Sequence, residues 1–106
     1  MAKREDRSAE IAQDVFDGMQ LAEKEHRKND IWDIVYIHPM PHKDGEIDTD
    51  IVIGDRHTKF EPFVAWYCYH GETKYLYYTG DYRQTFAQAY VCALQKIENE
   101  ERMRKQ

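Results

Sequence analysis

The chain has 106 residues, of which 42% are hydrophobic and 33% charged, and a formal net charge of −5. That size fits one domain over residues 1–106, with 1–7 and 99–106 expected to fray, and its apolar share excludes a disordered acidic tail. No apolar run approaches the ~20 residues that cross a bilayer, and the charged start Met1–Arg7 leads into no hydrophobic segment, so the cytoplasm is the expected compartment.

From Ser8 to about Lys28, the residues Ile11, Ala12, Val15, Phe16, Met19 and Ala22 recur at three- and four-residue steps, which predicts an amphipathic helix. Ser8 suits its N-cap and Asn29-Asp30 its stop, while Gly18 permits a close neighbour. Four strand-like segments follow. Ile31 to His38 is β-branched and aromatic and meets Pro39 and Pro41. Ile47 to Ile53 alternates, placing Asp48 and Asp50 opposite Thr49 and Ile51 and toward solvent. Phe60 to Tyr69 and Thr73 to Thr79 flank Gly71, where a two-residue turn across Gly71-Glu72 or a three-residue loop closes a hairpin. Thr85-Phe86-Ala87-Gln88 has the form of a capping box, so the last helix opens near Asp81 or Thr85, with Phe86, Ala89, Tyr90, Ala93, Leu94 and Ile97 as its apolar stripe. The expected fold is α+β: a four-stranded antiparallel meander flanked by an N-terminal and a C-terminal helix, in the order α-β-β-β-β-α.

Charge is uneven along the chain. Residues 30–50 hold Asp30, Asp33, Asp44, Glu46, Asp48 and Asp50 against Lys43 alone, which accounts for the whole net charge. Such a field attracts a basic partner and repels a phosphate backbone. His38 and His42 lie in the same stretch and, with the nearby acids, are the candidate metal ligands. Prolines separate them and no known ligand register emerges, so neither a metal nor any other cofactor is expected. Cys68 and Cys92 sit in apolar stretches and read as buried free thiols.

Eight tyrosines and two tryptophans are many for this length. Alternation sends Phe63, Ala65, Tyr67 and Tyr69 to one sheet face and Val64, Trp66 and Cys68 to the other. Two helices shield two such faces poorly, so Tyr67, Tyr69, Tyr75 and Tyr77 are candidate contact residues, alongside Asp44, Glu46, Asp48 and Asp50. Self-association into a homodimer is one form such contact takes. Aromatic sheets also stack bases. The element order resembles that of the double-stranded-RNA-binding domain, and the stretch Gly80 to Ala89 is similar to the opening of that family's last helix. That family holds phosphates there with a lysine cluster, where this chain has Asp81 and Arg83, so nucleic acid is not the expected partner.

The chain has no phosphate-cradling glycine loop, nucleophile elbow or helical zinc motif. The expected function is therefore that of a small acidic protein-binding module. Its format is that of a regulator, inhibitor or adaptor of the sort borne by phage, engaging a protein with a basic surface. A base-stacking domain and a metal-dependent enzyme built on His38 and His42 are the alternatives.

Overall fold

The computed structural model describes residues 8–29, 32–41 and 48–104. The first helix, α1 (Ser8–Glu25), ends earlier than the periodicity suggests. His26 takes a left-handed backbone, with φ of 50°, while its amide still bonds the Ala22 carbonyl at 3.0 Å. The chain then turns at once into β1 (Lys28–Asn29), which pairs with β2 (Trp32–Pro39). The strands β3 (Thr49–Asp55), β4 (Phe63–His70) and β5 (Tyr75–Arg83) follow, and α2 (Phe86–Arg104) closes the order. Its capping box forms as expected: the Gln88 amide donates to Thr85 Oγ1 at 3.1 Å and the Thr85 amide to Gln88 Oε1 at 3.2 Å.

Among the described residues the sheet has five antiparallel strands in the order β1-β2-β3-β4-β5, one more than the four expected. The addition is β1, two residues long and too short to carry an alternation signal. The hairpin turn also differs from both sequence readings. His70 pairs with Tyr75 across a four-residue connection in which the Gly71 amide bonds the Lys74 carbonyl at 2.9 Å.

Two bulges govern the shape. Val35 is an extra residue in β2, and Thr79-Gly80 stand opposite the single Trp66 of β4. The second lets β5 run on to Arg83, past the Gly80 at which the sequence reads as broken. Bulges bend strands and increase their twist. Here the sheet bends so that side chains of strands three apart in the order meet across one face: the Trp32 ring of β2 lies edge-on to Tyr82 of β5 with centroids 6.3 Å apart. Arg27 reaches the same way, its guanidinium carbon 3.8 Å from the Tyr75 ring centroid.

The concave face is filled from within. Ile34, Ile37, Val52, Val64, Trp66 and Cys68 are buried there with Ala22 of α1, under half-buried Trp32 and Tyr77. Trp32 stacks on Trp66 at 5.5 Å, and Arg56 lies 5.1 Å from both the Trp32 and Tyr82 rings. Trp66 fits because its neighbours are glycines. A Cβ at Gly54 or Gly80 would stand 2.6 or 2.7 Å from the indole. The opposite face carries Tyr36, Ile51, Ile53 and Ala65 beneath Ala89, Tyr90, Ala93 and Ile97 of α2. Thus the alternation places Ala65 and Trp66 on the faces it predicts, but the concave face is covered largely by its own side chains, with only the Leu21–Ala22 end of α1 against it.

α1 packs chiefly on β2. Gly18 touches it most closely, since a Cβ there would lie 2.3 Å from the Tyr36 ring. Gly18 and Ala22 are buried, while Ile11, Phe16 and Met19, which the periodicity assigns to the core, are 42%, 55% and 45% exposed. The line facing the sheet runs through Asp14, Gly18 and Ala22 instead, because small residues let the helix approach closely and the aspartate meets hydroxyls described below.

Candidate functional site

Asp50 lies on the inward-turned face of β3 and is only 3% exposed, so the expectation that it faces solvent is corrected. Its Oδ2 accepts a hydrogen bond from Arg27 Nη1 at 2.7 Å and lies 2.7 Å from His70 Nε2. His70 Nδ1 is in turn 3.0 Å from Asp48. An imidazole meeting a carboxylate oxygen at each nitrogen donates at both only when protonated. Burial opposes the Arg27 charge, but its bonds to Asp50 and Glu25 outweigh that and hold the guanidinium more firmly protonated than usual. Beside it, burial pushes the Cys68 thiol up to about 11, which keeps it neutral and unreactive. Both cysteines are free and buried.

Asp48, Asp50 and His70 bring ligand-type atoms within 4.8 Å of one another. A dication at this point would meet a carboxylate already neutralised by a buried guanidinium and an imidazole engaged at both nitrogens. The cluster fits an internal lock that fastens the α1–β1 turn to β3 and β4, and it does not fit a metal site.

A second cluster ties the helices together. Asp14 of α1 accepts from the hydroxyls of Tyr36 and Tyr90, both at 2.6 Å, and from His38 Nδ1 at 3.0 Å. Partial burial raises the Asp14 pKa, yet the three donors outweigh it and hold the carboxyl below its usual value of 3.8. Burial and the adjacent carboxylate push Tyr36 far above the ordinary phenol range. A lowered carboxyl contributes stability that is present above its unfolded-state value and is lost as pH falls through the folded one. Denaturant midpoints measured from neutrality into acid should therefore fall less steeply for Asp14→Asn than for the native chain, below the ordinary carboxyl range. Identical slopes would show that Asp14 carries none of the acid sensitivity.

Above this cluster a groove of about 210 Å³ opens between α1 and α2. Asp14 and His38 form its polar floor, Ile11, Leu94 and Ile97 its apolar walls, and Glu10 and Glu101 its rim. Phe16 and Met19 on α1 and Val91 (55% exposed) on α2 are exposed as well, so this helical layer carries much of the exposed apolar side-chain surface among the described residues.

Of the sequence-derived site residues that are described, Asp48, Asp50 and Tyr75 meet around Arg27 and His70, whereas Tyr67 and Tyr69 lie on the other face. Tyr67 and Tyr69 are half-buried on the α2 side, Tyr67 under Lys96 Nζ at 5.0 Å and Tyr69 beside the Tyr78 ring at 5.1 Å. Tyr75 and Tyr77 lie on the concave side, Tyr75 beneath Arg27 and still 39% exposed, Tyr77 against Trp66. Asp48 is half-buried beside His70. His38 serves Asp14, and Asp44, Glu46 and His42 lie outside the described residues.

Comparison with protein-family models, with curated proteins and with solved structures finds no match to this chain.

Sequence reasoning missed Asp14, Arg27, His70 and the exposed α1 stripe. The spacing of Asp14, Gly18 and Ala22, four residues apart each time, is the signal that marks the buried line of α1. Arg27 and His70 carry no local signal, since their partners are 23 and 20 residues away.

Proposed function

We propose that the chain is a small acidic protein-binding module whose docking surface is the helical layer rather than the tyrosine-bearing sheet. The observation that carries this reading is the exposed apolar surface of the helical layer, Phe16 and Met19 of α1 at 55% and 45% exposure and, separately, the Ile11–Leu94 groove between the helices. Clustered exposed apolar side chains mark interaction surfaces, and an apolar centre with a polar rim is the usual anatomy of a protein interface. The groove is edged by two exposed acids, Glu10 and Glu101. A partner with a basic surface is the complementary one, in keeping with the net charge of −5. Stacking of nucleic-acid bases is less well supported, because the Trp32–Trp66 pair is covered by Tyr82 and Arg56.

The test is affinity capture from the producing cell with the native chain and with Phe16→Ser/Met19→Ser. Both positions are exposed, so the variant should remain folded. The native chain should recover a protein in stoichiometric amount, released in part by raised salt, and the variant should lose it. The same protein recovered equally by both would refute the surface.

A further inference from the structure

The connection between β3 and β4 displays a large apolar side chain at its tip. Phe60 is 75% exposed, the most exposed of the large hydrophobic residues described. A single exposed apolar residue is ordinary on a slack loop. This loop is tied down. Gln84 clamps it on both sides of Phe60, its Nε2 donating to the Lys59 carbonyl at 2.8 Å and its Oε1 accepting from the Glu61 amide at 3.0 Å. Thr58 Oγ1 donates to the carbonyl of Phe60 itself at 3.0 Å, and the Arg56 amide bonds Pro62 at 2.8 Å across the loop base. Two non-glycine residues, His57 and Glu61, are held at φ of 57° and 44°. Left-handed backbone at such residues is unfavourable and persists only where its surroundings enforce it, and such strain gathers at binding sites. Four hydrogen bonds and two strained residues thus fix the backbone that holds a phenyl ring out in water. A preorganised aromatic anchor of this kind loses little entropy when it docks.

The same molecule carries a receptor of matching size and charge. The groove between α1 and α2 is open to solvent and offers about 210 Å³, with Ile11, Leu94 and Ile97 among its lining residues. A closed apolar cavity of about 150 Å³ holds benzene, so the groove has room for a phenyl ring. The floor presents the Asp14 carboxylate, which suits the electropositive edge of an aromatic ring. The rim is acidic through Glu10 and Glu101, whereas the knob is flanked by exposed Lys59 and by Arg83, next to the clamping Gln84, against Glu61. Basic knob and acidic socket are therefore complementary in sign.

We infer that the chain self-associates, with Phe60 of one copy seated in the groove between α1 and α2 of another. This rests on the reading of the helical layer as a docking surface and adds the identity of the occupant.

The experiment is analytical ultracentrifugation over a range of concentrations on four samples: the native chain, Phe60→Ser, Leu94→Asp, and the two variants mixed. The native chain should associate, each variant should weaken association by more than about tenfold, and the mixture should recover a 1:1 species, because one variant keeps the socket and the other the knob. Phe60→Ser sits far from any core and reports even if Leu94→Asp disturbs α2. A native chain that stays monomeric at high concentration, an association indifferent to Phe60→Ser, or a mixture that forms no heterodimer would each overturn the inference. A monomer that still captures a cellular protein through Phe16 and Met19 would overturn the second copy as occupant while leaving the docking surface standing.

Discussion

Asp50→Ala is expected to destabilise the fold by about 3–5 kcal/mol, the range found when one partner of a buried ion pair is removed. The magnitude follows from what remains. The Arg27 guanidinium has a side-chain exposure of 4% and would keep only Glu25, itself a third exposed, as a charged partner. His70 would lose the carboxylate at its Nε2. With folded proteins typically stable by about 5–15 kcal/mol, the variant should lose a large share of its stability. Urea denaturation followed by tryptophan fluorescence measures the loss. Arg27→Met combined with Asp50→Leu should lose less than Asp50→Ala alone, because no buried charge is then left stranded. A single variant within about 1 kcal/mol of the native chain, the level of an exposed pair, would mean that the cluster is solvated in solution.

The second large effect is at Trp66. Trp66→Ala is expected to cost about 3–5 kcal/mol, as for other large-to-small changes in cores. The indole stacks on Trp32 at 5.5 Å, tilts against Tyr77 at 5.3 Å, and is bracketed by Gly54 and Gly80. Two glycines leave no side chains to collapse into the space, so relaxation should be small and the loss should lie near the top of the range. Near-ultraviolet circular dichroism of any folded fraction should lose most of its intensity, since the asymmetric Trp32–Trp66 stack is gone. A mild loss of stability with an unchanged spectrum would mean that the sheet does not close over this residue.

These two sites mark the boundary of what the sequence could disclose. Helix and strand positions follow from local periodicity, and the faces of β4 follow from alternation, so Ala65 and Trp66 fall on the sides expected. The capping box at Thr85 and Gln88 is legible because all its parts lie within four residues. Asp50 is not legible as a buried ion-pair partner, because an aspartate beside Asp48 in an acidic stretch reads as solvated until the curl of the sheet brings Arg27 across it. That curl depends on the bulges at Val35 and Thr79-Gly80, which insert residues without altering composition. The same cause explains the tyrosines. A flat meander under two helices would leave one aromatic face open, whereas the curled sheet encloses Trp66 and half-buries Tyr77. On α1 the apolar pattern is wider than the narrow line that β2 can cover, so the excess, Phe16 and Met19, lies outside. Among the described residues most of the large exposed apolar side chains are on the helices, which is why the docking surface is placed there.

The closure of the sheet over its own aromatic face is the claim on which that placement depends. Two-dimensional NMR of the native chain with assigned aromatic side chains tests it most directly, through nuclear Overhauser contacts between Trp32 of β2 and Tyr82 of β5. Cross-peaks between these rings, and between Trp32 and Trp66, are the expected result. Assigned rings of Trp32 and Tyr82 with no mutual contact would mean an open sheet, and would return the docking surface to its tyrosines.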